Sequence, residues 1–185
     1  MKRHLTILFI IVVYNLSIGQ NTSRLDSLFN ADSNDRKCAF HSSGLNISST
    51  FPFNVTDRVE LVSFSDRNSD LDSIVANKKL LLTTIKQRKD ISKKEIDTLF
   101  DKIYNYRSYS DIKTNMLSVS NPSCYIPHHA IIFYKDKSPI AFIEICFKCS
   151  TYKMSDSVEW FGECTEKYEY FRELFKKYGL TYMLK

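Results

Sequence analysis

Lys2 and Arg3 open the chain, followed by an almost wholly apolar run over residues 5–16 and then by Ser17-Ile18-Gly19. A short positive start, an apolar middle and small residues three and one positions before a cut form the pattern of a secretory signal peptide. A membrane-spanning helix needs about 20 apolar residues. This run is shorter and is broken by Tyr14 and Asn15. The sequence therefore predicts a signal peptide over 1–19, cleaved after Gly19, and a secreted or periplasmic mature chain without a transmembrane helix. No cysteine follows Gly19, so a lipid-modified N-terminus of the bacterial kind is not indicated.

Export constrains the fold through sulfur. The mature chain keeps Cys38, Cys124, Cys146, Cys149 and Cys164. In an oxidising compartment thiols that approach one another become disulfides, whereas in the cytosol metal or catalytic roles gain weight. Five is odd, so at least one thiol stays free, binds something or pairs between molecules. The 185 residues suit one domain, and 43% hydrophobic with 25% charged residues excludes a collagenous, fully disordered or polytopic membrane chain. Without Lys2 and Arg3 the formal charge falls from +5 to +3. The remaining basic clusters, such as Lys78-Lys79, Lys93-Lys94 and Lys176-Lys177, are short and scattered, which reads as solvated faces and argues against a nucleic-acid partner. Four glycines and no phosphate-cradling loop argue against nucleotide chemistry.

Residues 20–56 are rich in Asn, Ser, Asp and Thr and read as a polar flexible segment that buries too little apolar surface to offset its ordering entropy. Cys38, Phe40 and Phe51-Pro52-Phe53 are its points of local docking. Sequons at Asn21, Asn46 and Asn54 matter only in a source that glycosylates, and chance explains them in so Asn- and Ser-rich a stretch. A single domain is expected over 57–185. Residues 58–65 and 79–87 have strand composition, with a polar turn region at 66–73 between them. Ser92 and Glu95 form a capping box, flanked by Ile91 and Ile96 as a hydrophobic staple, and predict a helix to about Arg107 that buries Ile96, Leu99, Phe100 and Ile103. Tyr104, Tyr106 and Tyr109 then form a Tyr-rich patch that suits either contact with a sugar or peptide or a helix end folded on the core. Residues 130–134 and 140–147 predict a β-hairpin, and 163–178 a second amphipathic helix with Cys164, Tyr168, Phe171, Phe175 and Tyr178 on one stripe, stopped by Gly179. The expected class is α+β: a largely antiparallel sheet with a C-terminal β-hairpin and two amphipathic helices packed on it.

Cys146-Phe147-Lys148-Cys149 continues a strand instead of opening a helix, so a thioredoxin-like pair does not fit. A zinc site would combine Cys146, Cys149 and His129, with His128, Cys124 or Cys164 as further donors, but no second half of a zinc motif completes it. Strand alternation sets Ala141, Ile143, Ile145, Phe147 and Cys149 on one face and Ile140, Phe142, Glu144, Cys146 and Lys148 on the other. Cys149 then faces the last helix, where a bridge to Cys164 would staple helix to sheet. Setting Lys135 opposite Ser138 puts Cys124 opposite Cys149 as a rival pairing, and connectivity stays open among Cys149, Cys164, Cys124 and Cys146. The same register sets His129 opposite Glu144 and on one face with Cys146, the one cluster in which a thiol and an imidazole could act together. Its structural alternative is a His129–Glu144 cross-strand ion pair.

The stretch Cys124-Tyr125-Ile126-Pro127-His128-His129, followed by Ile145-Cys146-Phe147-Lys148-Cys149 and by Cys164 on a closing helix, resembles a group of secreted or membrane-associated bacterial proteins, chiefly of the Bacteroidetes type. The likeness covers residues 124–182, and the leader is similar too. In that group Arg often stands where His128 stands here, which leaves His129 as the better candidate of the pair. The resemblance implies no activity. The expected function is thus that of an exported, disulfide-stabilised binding or accessory protein rather than an enzyme. The residues name no partner, a cell-envelope protein or glycan being one class that would suit, and no cofactor is expected. The alternative is a thiol- or metal-dependent site of Cys146, His129 and Glu144, with zinc as its metal.

Overall fold

In the computed structural model, which describes residues 37–65, 73–108, 125–158 and 164–184, the fold is α+β. The strands are β1 Cys38–Phe40, β2 Arg58–Phe64, β3 Val75–Ala76, β4 Lys79–Leu80, β5 Ile85–Asp90, β6 Tyr106–Ser108, β7 His129–Lys135, β8 Ser138–Cys146 and β9 Thr151–Met154. The helices are α1 Lys93–Tyr104 and α2 Thr165–Lys177. Five strands make one antiparallel sheet in the order β5-β2-β7-β8-β9, and β1 with β6 and β3 with β4 form two small ribbons.

The central sheet separates two apolar layers. Leu61, Ile131, Phe133, Ile143 and Ile145 point to the side covered by Leu99, Phe100 and Ile103 of α1 and Tyr168, Phe171 and Phe175 of α2. Val62, Phe64, Ala130, Ile132, Tyr134 and Phe142 point to the other, covered by Ile74, Val75, Leu80 and Leu81. This is the period-2 alternation expected of strands, here apolar on both faces because both are covered. The predicted strand over 79–87 is broken by a 3-10 turn at Leu82–Thr84, so that β4 serves the covering ribbon and β5 the sheet edge.

The capping box forms by half. Ser92 Oγ accepts from the Glu95 N–H at 3.3 Å, but the Ser92 N–H donates to the Tyr178 hydroxyl instead of to Glu95. Glu95 is drawn to α2, where Lys177 and the Tyr170 hydroxyl donate to it. Burial and this carboxylate push the Tyr170 phenol up, while the hydrogen bond to Glu95 raises Lys177. The fully buried Lys167 reaches across in the other direction, its ammonium donating to the Ile103 carbonyl at 3.1 Å. That carbonyl lies in the last turn of α1, where a cation complements the helix dipole.

α1 ends at Tyr104, short of the expected Arg107, because residues 106–108 pair with β1. Gly179 stops α2 as predicted, with φ of +76° and the Leu180 N–H donating back to the Phe175 carbonyl. From Lys37 onward the stretch expected to act as a tether is part of the packed unit. Phe53 is 7% exposed and meets Phe100, Tyr104 and Phe133 edge-on at 5.1–6.0 Å, while the Tyr104 hydroxyl donates to the Phe51 carbonyl. A few aromatic side chains supply the burial that average composition hides. Phe40, by contrast, is 63% exposed. Residues 20–36 of that stretch and the leader lie outside the described residues, as do Tyr109 and Cys124.

Candidate functional site

The hairpin turn is where the sequence placed it. Asp136 and Lys137 both take positive φ (50° and 70°), the backbone of a type I′ two-residue turn, and Lys135 lies opposite Ser138. One pair further on the register shifts. Tyr134 lies opposite Pro139, but Phe133 lies opposite Ala141, so Ile140 is an extra residue. Pro139 has no N–H to give the ladder, and a bulge is where a sheet accommodates such a residue.

That single residue moves every partner beyond it. His129 lies opposite Ile145, not Glu144, and Glu144 lies opposite Ala130. The expected cluster of His129, Glu144 and Cys146 on one face is therefore corrected. His129 belongs to the helix side, between the rings of Phe147 (4.9 Å) and Phe175 (5.0 Å). Glu144 and Cys146 follow Phe142 on the opposite side. The His129–Glu144 ion pair is not formed for the same reason.

The cysteine pairing is corrected as well. Cys164 is bonded to Cys38, 126 residues away, and not to Cys149. β8 ends at Cys146, and residues 147–150 turn into β9, a strand the sequence reading did not contain. Cys149 thus sits in a turn instead of on the apolar face. Cys164 is the N-cap of α2 and meets β1, whose Cys38 N–H donates to Glu166 at 2.7 Å. Cys149 is also in a disulfide. The rival Cys124–Cys149 pairing falls on a residue outside those described. Cys146 is a free thiol, fully buried. Among the described residues, one group of three metal-ligating side chains lies close enough to share an ion, Cys38, Cys164 and Glu166, and two of its donors are the sulfurs of the bridge. The set Cys146, Cys149 and His129 is not brought together.

What remains around Glu144 is a buried hub. The carboxylate is completely enclosed and accepts from the Ile74 N–H and from the Tyr125 hydroxyl at 2.7 Å. Lys153 of β9 lies opposite Glu144 in the ladder, and Thr151 opposite Cys146. One acidic side chain in the apolar strand β8 thereby ties two chain segments, at Ile74 and at Tyr125, to the second face of the sheet. A buried carboxylate is tolerable because hydrogen bonds replace its water.

A second buried acid shows the same design at the sheet edge. Glu60, 3% exposed, receives Arg88 through Nε (2.6 Å) and Nη2 (2.9 Å) and the Tyr134 hydroxyl at 2.8 Å. Arg58 stacks over the Tyr134 ring at 3.8 Å and donates to Asp90. Burial first, then the hydrogen bond to Glu60, pushes the Tyr134 phenol up to about 12. Two acids and two guanidiniums balance, so the network welds β2, β5 and β7 together and leaves no net charge for a ligand.

No protein-family model, curated protein or solved structure matches the chain. Among the described residues, the three side chains of the expected thiol–imidazole cluster lie in two places. On the second face are Glu144 and Cys146, sealed from solvent. On the helix face is His129, whose imidazole is held down to about 4, chiefly by burial, with the like charges of His128 and Arg172 adding and the Tyr182 backbone opposing. Its cross-strand neighbour is Ser63 of β2. Among the described residues neither Ser63 Oγ nor His129 Nε2 has a hydrogen-bond partner. Sequence reasoning had no route to Ser63, Tyr125 or Ile74, since each depends on a long-range register. Glu60 and Glu144 did carry a signal: each is the one acid of its strand and stands between apolar neighbours.

Proposed function

We propose that the chain is exported through its N-terminal leader and acts outside the cytoplasm as a disulfide-stapled α+β binding or accessory protein. The observation that carries this reading is the use of sulfur: Cys38, Cys164 and Cys149 are in bridges, and the free thiol of Cys146 is buried on the opposite face of the sheet from His129. Disulfides persist in exported chains and are rare in cytosolic ones. No described helix is long and apolar enough to cross a membrane. The resemblance to secreted bacterial proteins supports the same placement. Beside the bridge, exposed Phe40 packs edge-on against Tyr106 at 5.8 Å, an aromatic surface of the kind that meets protein or glycan in a cell envelope.

Expression from the full-length sequence in a secreting bacterium tests this reading. The released protein is expected to begin at Gln20. Native Cys146 is expected to react with an alkylating reagent at least about 100-fold more slowly than after unfolding, because access requires opening of the core. Retention of Met1 on cytoplasmic protein, or rapid labelling of native Cys146, contradicts it.

A further inference from the structure

We propose that the C-terminal segment, residues 179–184, is an acid-opened latch held shut over His129. Three neighbouring strands carry a polar row, Gln87 on β5, Ser63 on β2 and His129 on β7, each opposite the next, and its two outer members reach this segment. Gln87 grips the segment at both ends of its amide, donating to the Gly179 carbonyl at 3.3 Å and accepting from the Tyr182 N–H at 2.8 Å. Leu180 is buried in the helix-side core and Leu184 packs against it. The strap therefore covers the end of the sheet where the imidazole lies, 1% exposed.

A charged imidazole needs two hydrogen-bond acceptors, and none is offered at Nε2. The groups around the ring come from every side. Phe147 packs tilted against it and Phe175 edge-on, and Ile145 lies across from it on β8. Ser63 on β2 is neutral, His128 lies just before β7 and meets the Tyr182 ring of the strap edge-on at 6.5 Å, Arg172 on α2 repels a proton, and toward the imidazole itself the strap offers the backbone of Tyr182. Protonation must therefore bring in water. β7 cannot move aside easily, since β2 and β8 hold it on both edges. The strap is the weaker cover, and local opening takes the path that breaks fewest contacts.

The direction follows from which form binds the proton. Above pH 6.5 both closed and open forms are neutral. Between 6.5 and about 4 the open form holds a proton that the closed form excludes, so opening grows as pH falls and levels off below about 4. From pH 7.5 to pH 5 the opening equilibrium rises about 30-fold.

Residue-resolved amide hydrogen exchange on the mature chain, corrected for intrinsic rates, reads this directly. The Leu180 and Tyr182 amides are expected to lose protection about 30-fold between pH 7.5 and 5 while Ile131 and Ile143 hold theirs, and H129Q is expected to abolish the change. Equal loss across strap and sheet, a flat strap in the wild type, or an unchanged rise in H129Q overturns the proposal. Should H129Q fail to fold, Q87A serves instead. It removes both strap hydrogen bonds and should raise strap exchange at pH 7.5 without removing the further acid rise; exchange spreading into β7 in that variant also overturns the latch.

Discussion

Replacing Cys164 with Ser lowers the free energy of unfolding by roughly 3–5 kcal/mol, the largest single effect expected in this chain. The bridge to Cys38 spans 126 residues, and the denatured chain that it constrains is correspondingly long. In the native state it anchors β1, which is held otherwise by three residue pairs with β6 and by the Glu166 carboxylate. C38S is expected to match C164S within about 0.5 kcal/mol, and the double variant to be no worse than either, because both remove the same bond. Urea denaturation of the three variants against wild type measures this. A loss under about 1 kcal/mol in C164S would mean that the bridge is ornamental to the fold.

Replacing Glu144 with Leu destabilises by about 3 kcal/mol, because the Ile74 N–H and the Tyr125 hydroxyl lose their acceptor inside the second layer. The volume is roughly kept, so the effect comes from unsatisfied polar groups rather than from a cavity. E144Q retains an amide oxygen and is expected to lose about 1 kcal/mol. The decisive arm is E144L combined with Y125F. Deleting the stranded hydroxyl should recover about 1–2 kcal/mol of the E144L loss, whereas purely additive losses would mean that Tyr125 and Glu144 do not share the interaction.

The local features of this fold are legible in the sequence. The Ser92 cap, the Gly179 stop and the turn at Asp136-Lys137 depend on a few adjacent residues, and each stands where it was expected. The apolar alternation of residues 141–147 also holds, since period-2 sorting needs no partner. Features set by distant partners were not legible. The bulge after Pro139 is one residue wide, yet it separates His129 from Glu144 and dissolves the only catalytic cluster that the pattern suggested. Pro139, which has no N–H to give the ladder, is the one local signal of that bulge. The pairing of Cys38 with Cys164 depends on β1 lying against β6 and α2, contacts that average polarity over residues 20–56 concealed. The missing half of the capping box has the same origin, because Lys177 and Tyr170 compete for Glu95 across the sequence.

The use of sulfur for architecture is tested most directly by non-reducing peptide mapping of protein secreted through its own leader. The expected map joins the Cys38 peptide to the Cys164 peptide, places Cys149 in a separate linkage, and leaves Cys146 as the thiol alkylated only after unfolding. A free Cys164, or its recovery joined to Cys149, would contradict the account.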